Sequence, residues 1–227
     1  MRRLMEKYKT TRKKFDYKAE RDFFKDAITE VKPYEWLDRD MSLWIEGYPD
    51  VLSEATILDI GAGEALQGIL VAERYSPRLF VALELVPQRL IAASQRAATL
   101  PGLAVVAGNA YTTPFKDNTF DVVIGNGALH HMPDTEAVAA EIARVLKPGG
   151  LFFGREPNFY NLAVRYRVLH GPHVSPNEWA VTAPIIQSAF RKAGFDEVGV
   201  SYFWRRFPIV TNRFLAVSQR ISARLGR

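Results

Sequence analysis

The chain of 227 residues contains no cysteine and only four histidines. The lack of cysteine excludes disulfide bonds and thiolate metal sites, and it is typical of a protein in a reducing compartment. The sequence also lacks an apolar run long enough to span a bilayer, and its first residues are too charged for a secretory signal. These absences predict a cytoplasmic protein with one sizeable hydrophobic core.

Acidic residues are missing from residues 204–227, which carry six arginines, whereas residues 1–14 carry seven basic residues against one acid. The whole chain has a net charge of +5, so the body between these two ends is acidic. Five apolar residues of the C-terminal segment recur at helical spacing, namely Val210, Phe214, Val217, Ile221 and Leu225. This spacing predicts a basic amphipathic C-terminal helix, which either docks on its own domain or lies peripherally on the inner face of a membrane.

From residue 56 onward, short apolar runs alternate with stretches of helical periodicity. The predicted strands cover residues 56–60, 79–84, 104–108, 120–125 and 151–156, and the helices between them cover 66–74, 87–100 and 135–146. The strands are continuously apolar, as expected where helices cover both faces of a sheet. The order predicts a doubly wound, Rossmann-like α/β fold with a mostly parallel sheet flanked by helices. In such folds the loops that follow the strands meet at one sheet edge, where ligands bind.

Four segments organise the chain around this sheet. We expect an N-terminal helical cap over residues 1–50 and a ligand-binding domain over 51–203. Within that domain, residues 157–181 mix aromatics, prolines and histidines, which predicts an insertion after the fifth strand that walls a pocket. The basic C-terminal helix over 204–227 completes the prediction.

The stretch "TILDIGAGEALQG", residues 56–68, joins a buried strand to a helix through a glycine turn. Gly61 and Gly63 allow a ligand to approach the backbone where a Cβ would clash. The dinucleotide fingerprint G-x-G-x-x-G is absent because Leu66 stands where its last glycine is required. A nicotinamide dehydrogenase is therefore the weaker interpretation of this turn.

Polar residues follow each of the first four predicted strands. Asp59 lies at the end of the first strand, Glu84 ends the second, Asn109 follows the third, and "GNGALHH" follows the fourth. An acid at the end of the second strand can accept hydrogen bonds from both hydroxyls of a ribose. Each loop is weak evidence by itself, but their order at one sheet edge favours a bound adenosine.

Four stretches of the sequence, "ILDIGAGEA", "VALEL", "VVAGNAYTTPFKDNTFDVVIGNGALHHMPD" and "EIARVLKPGGLFFGREPN", resemble the successive motifs of class I S-adenosylmethionine-dependent methyltransferases. The resemblance covers roughly residues 50–156 and is closest to the type 11-like group of quinone and small-acceptor enzymes. It implies that S-adenosylmethionine is the cofactor. The residues that the resemblance implies for cofactor binding are Asp59, Gly61, Ala62, Gly63, Glu84, Leu85, Asn109, Ala110 and Asn126.

Within that set, the resemblance assigns Asp59 and the glycine turn to the methionine part and Glu84 to the ribose. Leu85, Asn109 and Ala110 would border the adenine, and Asn126 or its backbone would face the methionine amine. Three features depart from the family pattern. Ala65 replaces the usual third glycine of the turn, Asn109 replaces an acid, and no antiparallel seventh strand is recognisable after Pro208.

His130 and His131 follow the fourth strand, where the methyl acceptor would lie. We expect one of them to face the cavity as a general base, and we favour His131 because the family often keeps a histidine there. A structural histidine that bridges loops is the alternative. We expect no metal site, since adjacent histidines chelate one ion poorly and no third ligand has a suitable spacing.

The combined prediction is an enzyme that methylates an oxygen or carbon of a small-molecule or lipid-linked acceptor. One alternative is a methyltransferase that acts on RNA or protein and grips it with the basic ends. Nucleic acid is the less favoured acceptor, because the Asn/Asp-Pro-Pro-Tyr/Phe signature of exocyclic amino methylation is absent. The other alternative is an S-adenosylmethionine-binding protein without turnover.

Overall fold

The computed structural model describes residues 15–25, 34–170, 175, 177–203, 213–214 and 216–227. Its helices are α1 (Tyr17–Phe24), α2 (Tyr34–Trp44), α3 (Leu66–Arg74), α4 (Pro87–Ala97), α5 (Thr135–Val145), α6 (Leu162–His170) and α7 (Ala183–Lys192). Its strands are β1 (Thr56–Ile60), β2 (Leu79–Glu84), β3 (Leu103–Ala107), β4 (Phe120–Asn126), β5 (Leu146–Pro157), β6 (Phe195–Phe203) and β7 (Ser218–Leu225). Short 3₁₀ turns cover Asp50–Leu52 and Leu129–His131.

The seven strands form one sheet in the order β3-β2-β1-β4-β5-β7-β6. The first five strands are parallel, and β7 runs antiparallel to both of its neighbours. All five residues of β1 are buried, in agreement with helices on both faces of the sheet. The predicted doubly wound, mostly parallel α/β fold is confirmed. The strand order reverses between β1 and β4, which marks the ligand-binding edge.

The predicted C-terminal helix is wrong for Ser218–Leu225, which forms the inserted strand β7. Gln219, Ile221 and Ala223 alternate as buried residues along it, so the same segment also satisfies a period of two. The slot between β5 and β6 offers hydrogen-bond ladders on both sides, and this tertiary pairing outweighs the helical spacing. Residues 204–212 and 215 of the predicted helix lie outside the described residues.

Two hydrophobic clusters cover the two faces of the sheet. One packs β4 and β5 against α5 and α7, around Phe152 and Phe190. The other packs β1 and β2 against α2, α3 and α4. Both clusters hold the carboxyl ends of the parallel strands in fixed register, which positions the site. In the part of the chain that the structure describes, no helix has the length and hydrophobicity that a membrane crossing requires.

Candidate active site

A cavity of about 330 Å³ lies at the carboxyl ends of the parallel strands. This volume is within the range of small-molecule sites, about 300–1,000 Å³. Except for Asp59, every residue predicted to bind the cofactor lines it: Gly61, Ala62, Gly63, Glu84, Leu85, Asn109, Ala110 and Asn126. His131 also lines the cavity, whereas His130 does not.

The glycine turn brings the backbone to the wall of this cavity. Gly61 has a φ of +68°, and a Cβ placed on it would lie 3.2 Å from the Cβ of Ala128. Ala65, the last residue before α3, is fully buried and adopts a left-handed φ of +56°. The usual third glycine is therefore replaced by the smallest side chain at a position whose backbone still favours glycine.

Glu84 is fixed at the cavity by two backbone hydrogen bonds. Its Oε2 accepts from the Gly63 N–H at 2.8 Å, and its Oε1 accepts from the Val86 N–H at 3.0 Å. An ionised carboxylate offers about four acceptor positions, so each oxygen retains a lone pair for a ligand hydroxyl. This geometry suits a vicinal diol, as the sequence predicts for a ribose.

Asp59 lies in β1, two residues before Gly61. It is 1% exposed, and neither of its carboxylate oxygens has a hydrogen-bond partner. Burial raises the pKa of Asp59 well above its ordinary value, and the charge of Glu84 raises it further. A buried polar group without a partner is costly and marks a position that a ligand completes. A cationic group in the adjoining cavity would offset the cost of ionising Asp59.

The side chain of Asn109 forms hydrogen bonds with its own loop and with helix α1. Its Oδ1 accepts from the Tyr111 N–H at 3.0 Å, and its Nδ2 donates to the Tyr17 hydroxyl at 2.7 Å. The first bond closes an Asx turn after β3. The second bond docks the N-terminal helix, a function that the sequence analysis did not predict. Contact of Asn109 with adenine stays a prediction.

The two adjacent histidines point to different surroundings. His130 is buried, and its Nδ1 lies 2.7 Å from Oε2 of Glu156. Glu156 is 1% exposed and accepts from the backbone N–H groups of Ala128 and Leu129 at 3.0 and 2.8 Å. His130 therefore belongs to a buried network that fixes the turn after β4. His131 borders the cavity, and its catalytic function stays a prediction.

Arg155 and Glu156, at the end of β5, have different partners. Successive residues of a strand point to opposite faces, so Glu156 turns to the 3₁₀ turn while Arg155 reaches Asp40, with Nη1 and Oδ2 2.5 Å apart. Neither side chain lines the cavity.

The N-terminal residues of the cavity wall were not predicted. Phe15, Glu20, Phe24 and Leu37 all line it. Oε1 of Glu20 lies 3.2 Å from Nδ1 of His131, and the Phe24 ring packs edge-on against the His131 ring with centroids 5.2 Å apart. The available signal was the spacing of Glu20 and Phe24, which places them on one face of a helix.

A third residue that could bind a metal lies near the two histidines, although the spacing in the sequence had indicated none. Donor atoms of His130, His131 and Glu178 lie within 4.8 Å of one another. Glu178 comes from the insertion after β5, far along the chain. One ring nitrogen of each histidine already faces a carboxylate, Glu156 for His130 and Glu20 for His131. The expectation of no metal stays a prediction.

Comparison with known proteins identifies the central part of the chain. Residues 58–154 match the family described as "Methyltransferase domain". The chain is 33% identical over 130 residues to demethylmenaquinone methyltransferase of Bacillus licheniformis, covering 57% of this chain and 54% of that protein. It is 36% identical over 99 residues to phthiotriol/phenolphthiotriol dimycocerosates methyltransferase of Mycobacterium leprae, covering 44% and 36%. The matches thus span about half or less of these relatives.

Solved structures share the fold at low sequence identity. Phosphoethanolamine N-methyltransferase 2 of Haemonchus contortus, in complex with S-adenosyl-L-methionine, superposes with a TM-score of 0.68 at 16% identity, covering 93% of this chain and 57% of that one. An S-adenosylmethionine-dependent methyltransferase of Thermotoga maritima gives a TM-score of 0.65 at 19% identity, covering 84% and 89%.

The cavity residues fit S-adenosylmethionine on features of this chain alone. The unpartnered carboxylate of Asp59 suits the ammonium group of the cofactor's methionine part, and Glu84 offers acceptors for the ribose hydroxyls. The cofactor has no pyrophosphate, so the turn needs no third glycine next to the start of α3.

Proposed function

We propose that this chain, which belongs to the class I S-adenosylmethionine-dependent methyltransferase family, transfers a methyl group from S-adenosylmethionine to an oxygen or carbon of a small-molecule or lipid-linked acceptor. The observation that carries the proposal is one cavity that both Glu84 and His131 line. This arrangement can hold a ribose and a proton-accepting group in the same site.

The acceptor side of the cavity favours an apolar ligand. Phe15, Phe24, Leu37 and Met132 contribute apolar surface to the cavity that His131 lines, and Phe24 of α1 packs against the His131 ring. A pocket of this kind suits a small or lipid-linked molecule better than a polynucleotide backbone, which requires a basic groove. The names of the two relatives specify a demethylmenaquinone and phthiotriol dimycocerosates, which supports a lipid-linked acceptor.

The residues of this chain would bind the cofactor, shield the acceptor from water and remove a proton from it. The cofactor, when bound, supplies an electrophilic methyl group on a sulfonium. Glu84 and Asp59 would hold and orient it, while Phe24 and the rest of α1 exclude water from the acceptor. If the acceptor is a hydroxyl, its proton must leave during transfer, and His131 is the nearest candidate base.

Binding and turnover are tested separately. Isothermal titration calorimetry with S-adenosylmethionine and S-adenosylhomocysteine should show saturable binding that Glu84→Ala weakens. Transfer of a labelled methyl group to fractionated lipids, metabolites and RNA then identifies the acceptor class. Absence of cofactor binding would overturn the proposal, and label found in RNA instead would favour the alternative in which basic ends hold a nucleic acid. Cofactor binding with label in no fraction would favour an S-adenosylmethionine-binding protein without turnover.

Contact with a membrane, if it occurs, needs a surface other than the C-terminal helix, because Ser218–Leu225 is a strand. We propose the outer face of α6 together with Phe214. Leu162, Tyr166 and Phe214 are 77%, 69% and 56% exposed, and residues 157–177 contain no acid. Apolar side chains among arginines suit an anionic lipid surface, where the arginines reach headgroups.

Vesicle co-sedimentation tests this surface. The full chain should bind vesicles that contain anionic phosphatidylglycerol more strongly than neutral phosphatidylcholine vesicles, and L162E/Y166E should lose that binding. Ile91→Glu is the matched control, because Ile91 is a lone apolar residue on α4 that is 65% exposed. Equal binding of wild type and L162E/Y166E would remove α6 from the proposal.

A further inference from the structure

We infer that Glu20 is a positioning residue for His131, and that the active site is complete only while helix α1 is docked. The inference rests on the proposed function in one respect, the use of His131 as a base. The contact between the two side chains and the docking of α1 are independent of it.

Glu20 is a buried carboxylate that lines the same cavity as His131. The residue is 5% exposed, and its Oε1 lies 3.2 Å from Nδ1 of His131. The Nδ1 atom and this oxygen are not aligned for a hydrogen bond, so the attraction between them is mainly electrostatic. Its Oε2 accepts from Nδ2 of Asn177 at 2.7 Å and from the Ser175 hydroxyl.

Glu20 keeps its charge in these surroundings. Burial acts to raise the pKa of Glu20, but the His131 imidazole and the bonds from Ser175 and Asn177 outweigh it, so the pKa lies below its ordinary value. The lowered pKa favours the ionised form of the carboxylate that faces Nδ1 of His131. Glu178 is the second carboxylate near His131, and burial raises its pKa, although the charge of His131 opposes the rise.

Helix α1 brings Glu20 to the site from outside the matched domain, residues 58–154. Its eight residues make about two turns, too few for a helix that is stable alone. Docking therefore determines whether α1 is ordered. The backbone of Asp16 exchanges two hydrogen bonds with the Asn177 side chain, both 3.0 Å long, and Tyr17 bonds to Asn109.

The aromatic side chain at the other end of α1 closes the cavity. The Phe24 ring packs against His131 on one side, and the Arg89 guanidinium lies 5.2 Å from its centroid on the other. Undocking of α1 would remove Phe24 and Glu20 together. The same motion would open the cavity for ligand exchange and would release the imidazole from its carboxylate.

The consequence is a base that is oriented only in the closed state. With Nδ1 turned toward Glu20, the other ring nitrogen, Nε2, is left to take a proton from the acceptor. His130 offers an internal comparison, because its Nδ1 faces Glu156, which belongs to β5 and cannot leave. One histidine is thus held permanently, and its neighbour is held through a detachable helix.

Histidine-selective ¹⁵N NMR measures this coupling without knowledge of the acceptor. In wild type, His131 should populate mainly the tautomer with the proton on Nδ1, and in Glu20→Gln it should become a tautomer mixture. Glu35→Gln is the matched control, since the Glu35 side chain is 76% exposed in the next helix. His131→Gln assigns the resonance among the four histidines.

A second variant keeps the inference testable if Glu20→Gln does not fold. Asn177→Ala keeps the Glu20 carboxylate but removes one of its hydrogen bonds and the two bonds to the backbone of Asp16, and it should produce the same tautomer change to a smaller extent. With an acceptor in hand, Glu20→Gln should lower kcat by about 10²-fold, the lower end of what a general base contributes. KM for S-adenosylmethionine should stay within about twofold, because the Glu20 carboxylate contacts His131, Ser175 and Asn177, none of which is among the residues proposed for cofactor binding.

The results separate this inference from the proposed function. If folded Glu20→Gln and Asn177→Ala both retain the wild-type His131 tautomer, the inference is wrong even when calorimetry shows cofactor binding. If the tautomer changes but no cofactor binds, the Glu20–His131 coupling stands and the proposed function falls.

Discussion

The floor of the cavity and its roof are built from different parts of the chain. The floor consists of strand ends and turns within residues 58–154, with Glu84 as its central acid. The roof consists of α1 and of Ser175 and Asn177 from the insertion after β5. The proposed cofactor site thus comes from one continuous stretch of the chain, whereas the proposed acceptor site combines segments that lie far apart in sequence.

The two parts also differ in what holds their charged groups. Backbone N–H groups hold Glu84 and Glu156, and the sheet fixes those groups in turn. Side chains hold Glu20, and those side chains must themselves be ordered. The inferred undocking of α1 would therefore separate Glu20 from His131, whereas Glu84 would stay bonded to the backbone at the end of β2.

The largest expected effect disrupts the buried network that fixes the turn after β4. Glu156→Ala should lower the free energy of unfolding by about 3–5 kcal/mol, because it leaves His130 and buried backbone N–H groups without a partner. Urea denaturation monitored by circular dichroism measures the change. Glu197→Ala serves as control, since the Glu197 side chain is 79% exposed. A loss below about 1 kcal/mol would mean that the network around His130 is not structural.

The next effect concerns cofactor affinity. Glu84→Ala should weaken S-adenosylmethionine binding by about 3 kcal/mol, roughly 100-fold in Kd, because it removes the predicted ribose acceptors and frees the Gly63 N–H. Calorimetry measures Kd, with Glu35→Ala as a control that leaves the cavity intact. A Kd unchanged by Glu84→Ala would show that the ribose does not bind at the end of β2.

Asp59 should show a smaller effect with a defined pH dependence. The pKa of Asp59 is raised in the folded state, so its favourable contribution is full below the ordinary value of 3.8 and is lost as pH rises through the raised value. The unfolding free energy of Asp59→Asn minus that of wild type should therefore increase with pH in the unliganded protein. Chemical denaturation at several pH values measures it.

The same variant should bind S-adenosylmethionine about tenfold more weakly, since it lacks the carboxylate that a cationic ligand would complement. If the difference in unfolding free energy between Asp59→Asn and wild type did not change with pH, Asp59 would not be a carboxylate that burial destabilises. An affinity equal to that of wild type would separate Asp59 from the ligand.

The smallest expected effect tests how strongly helix α1 is held in the roof. Tyr17→Phe removes the hydroxyl bond to Asn109 and should favour undocking of α1 by about 1 kcal/mol, so amide hydrogens of α1 should exchange about fivefold faster. Global stability should not change. Tyr166→Phe is the control, because Tyr166 is 69% exposed on α6. Equal exchange in the two variants would show that this bond does not hold the roof.

Residues of the floor were predictable because their signals are local. The turn at Gly61 follows β1, Glu84 ends β2 and the Asn109–Ala110 pair follows β3, and parallel strands bring their carboxyl ends to one edge. Glu20 and Glu178 carry no such signal. An isolated glutamate in a helix or loop is typical of a solvated surface, and only long-range packing makes it a neighbour of His131.

The last strand illustrates the opposite outcome. Ile221 fits both a helical stripe and an alternating strand, so the sequence of this segment was ambiguous. The place between β5 and β6 settled the ambiguity, because a strand there satisfies its backbone on both sides.

The sequence by itself determined the alternation of strands and helices, the sheet edge where the polar residues meet and the resemblance to S-adenosylmethionine-dependent methyltransferases. These features depend on periodicity and on turn chemistry within a few residues. Only the tertiary structure decided that β7 is a strand, that His130 turns inward to Glu156, and that Glu20 on α1 faces His131. Those outcomes depend on which distant segments share a buried space, and burial makes polar groups select one another.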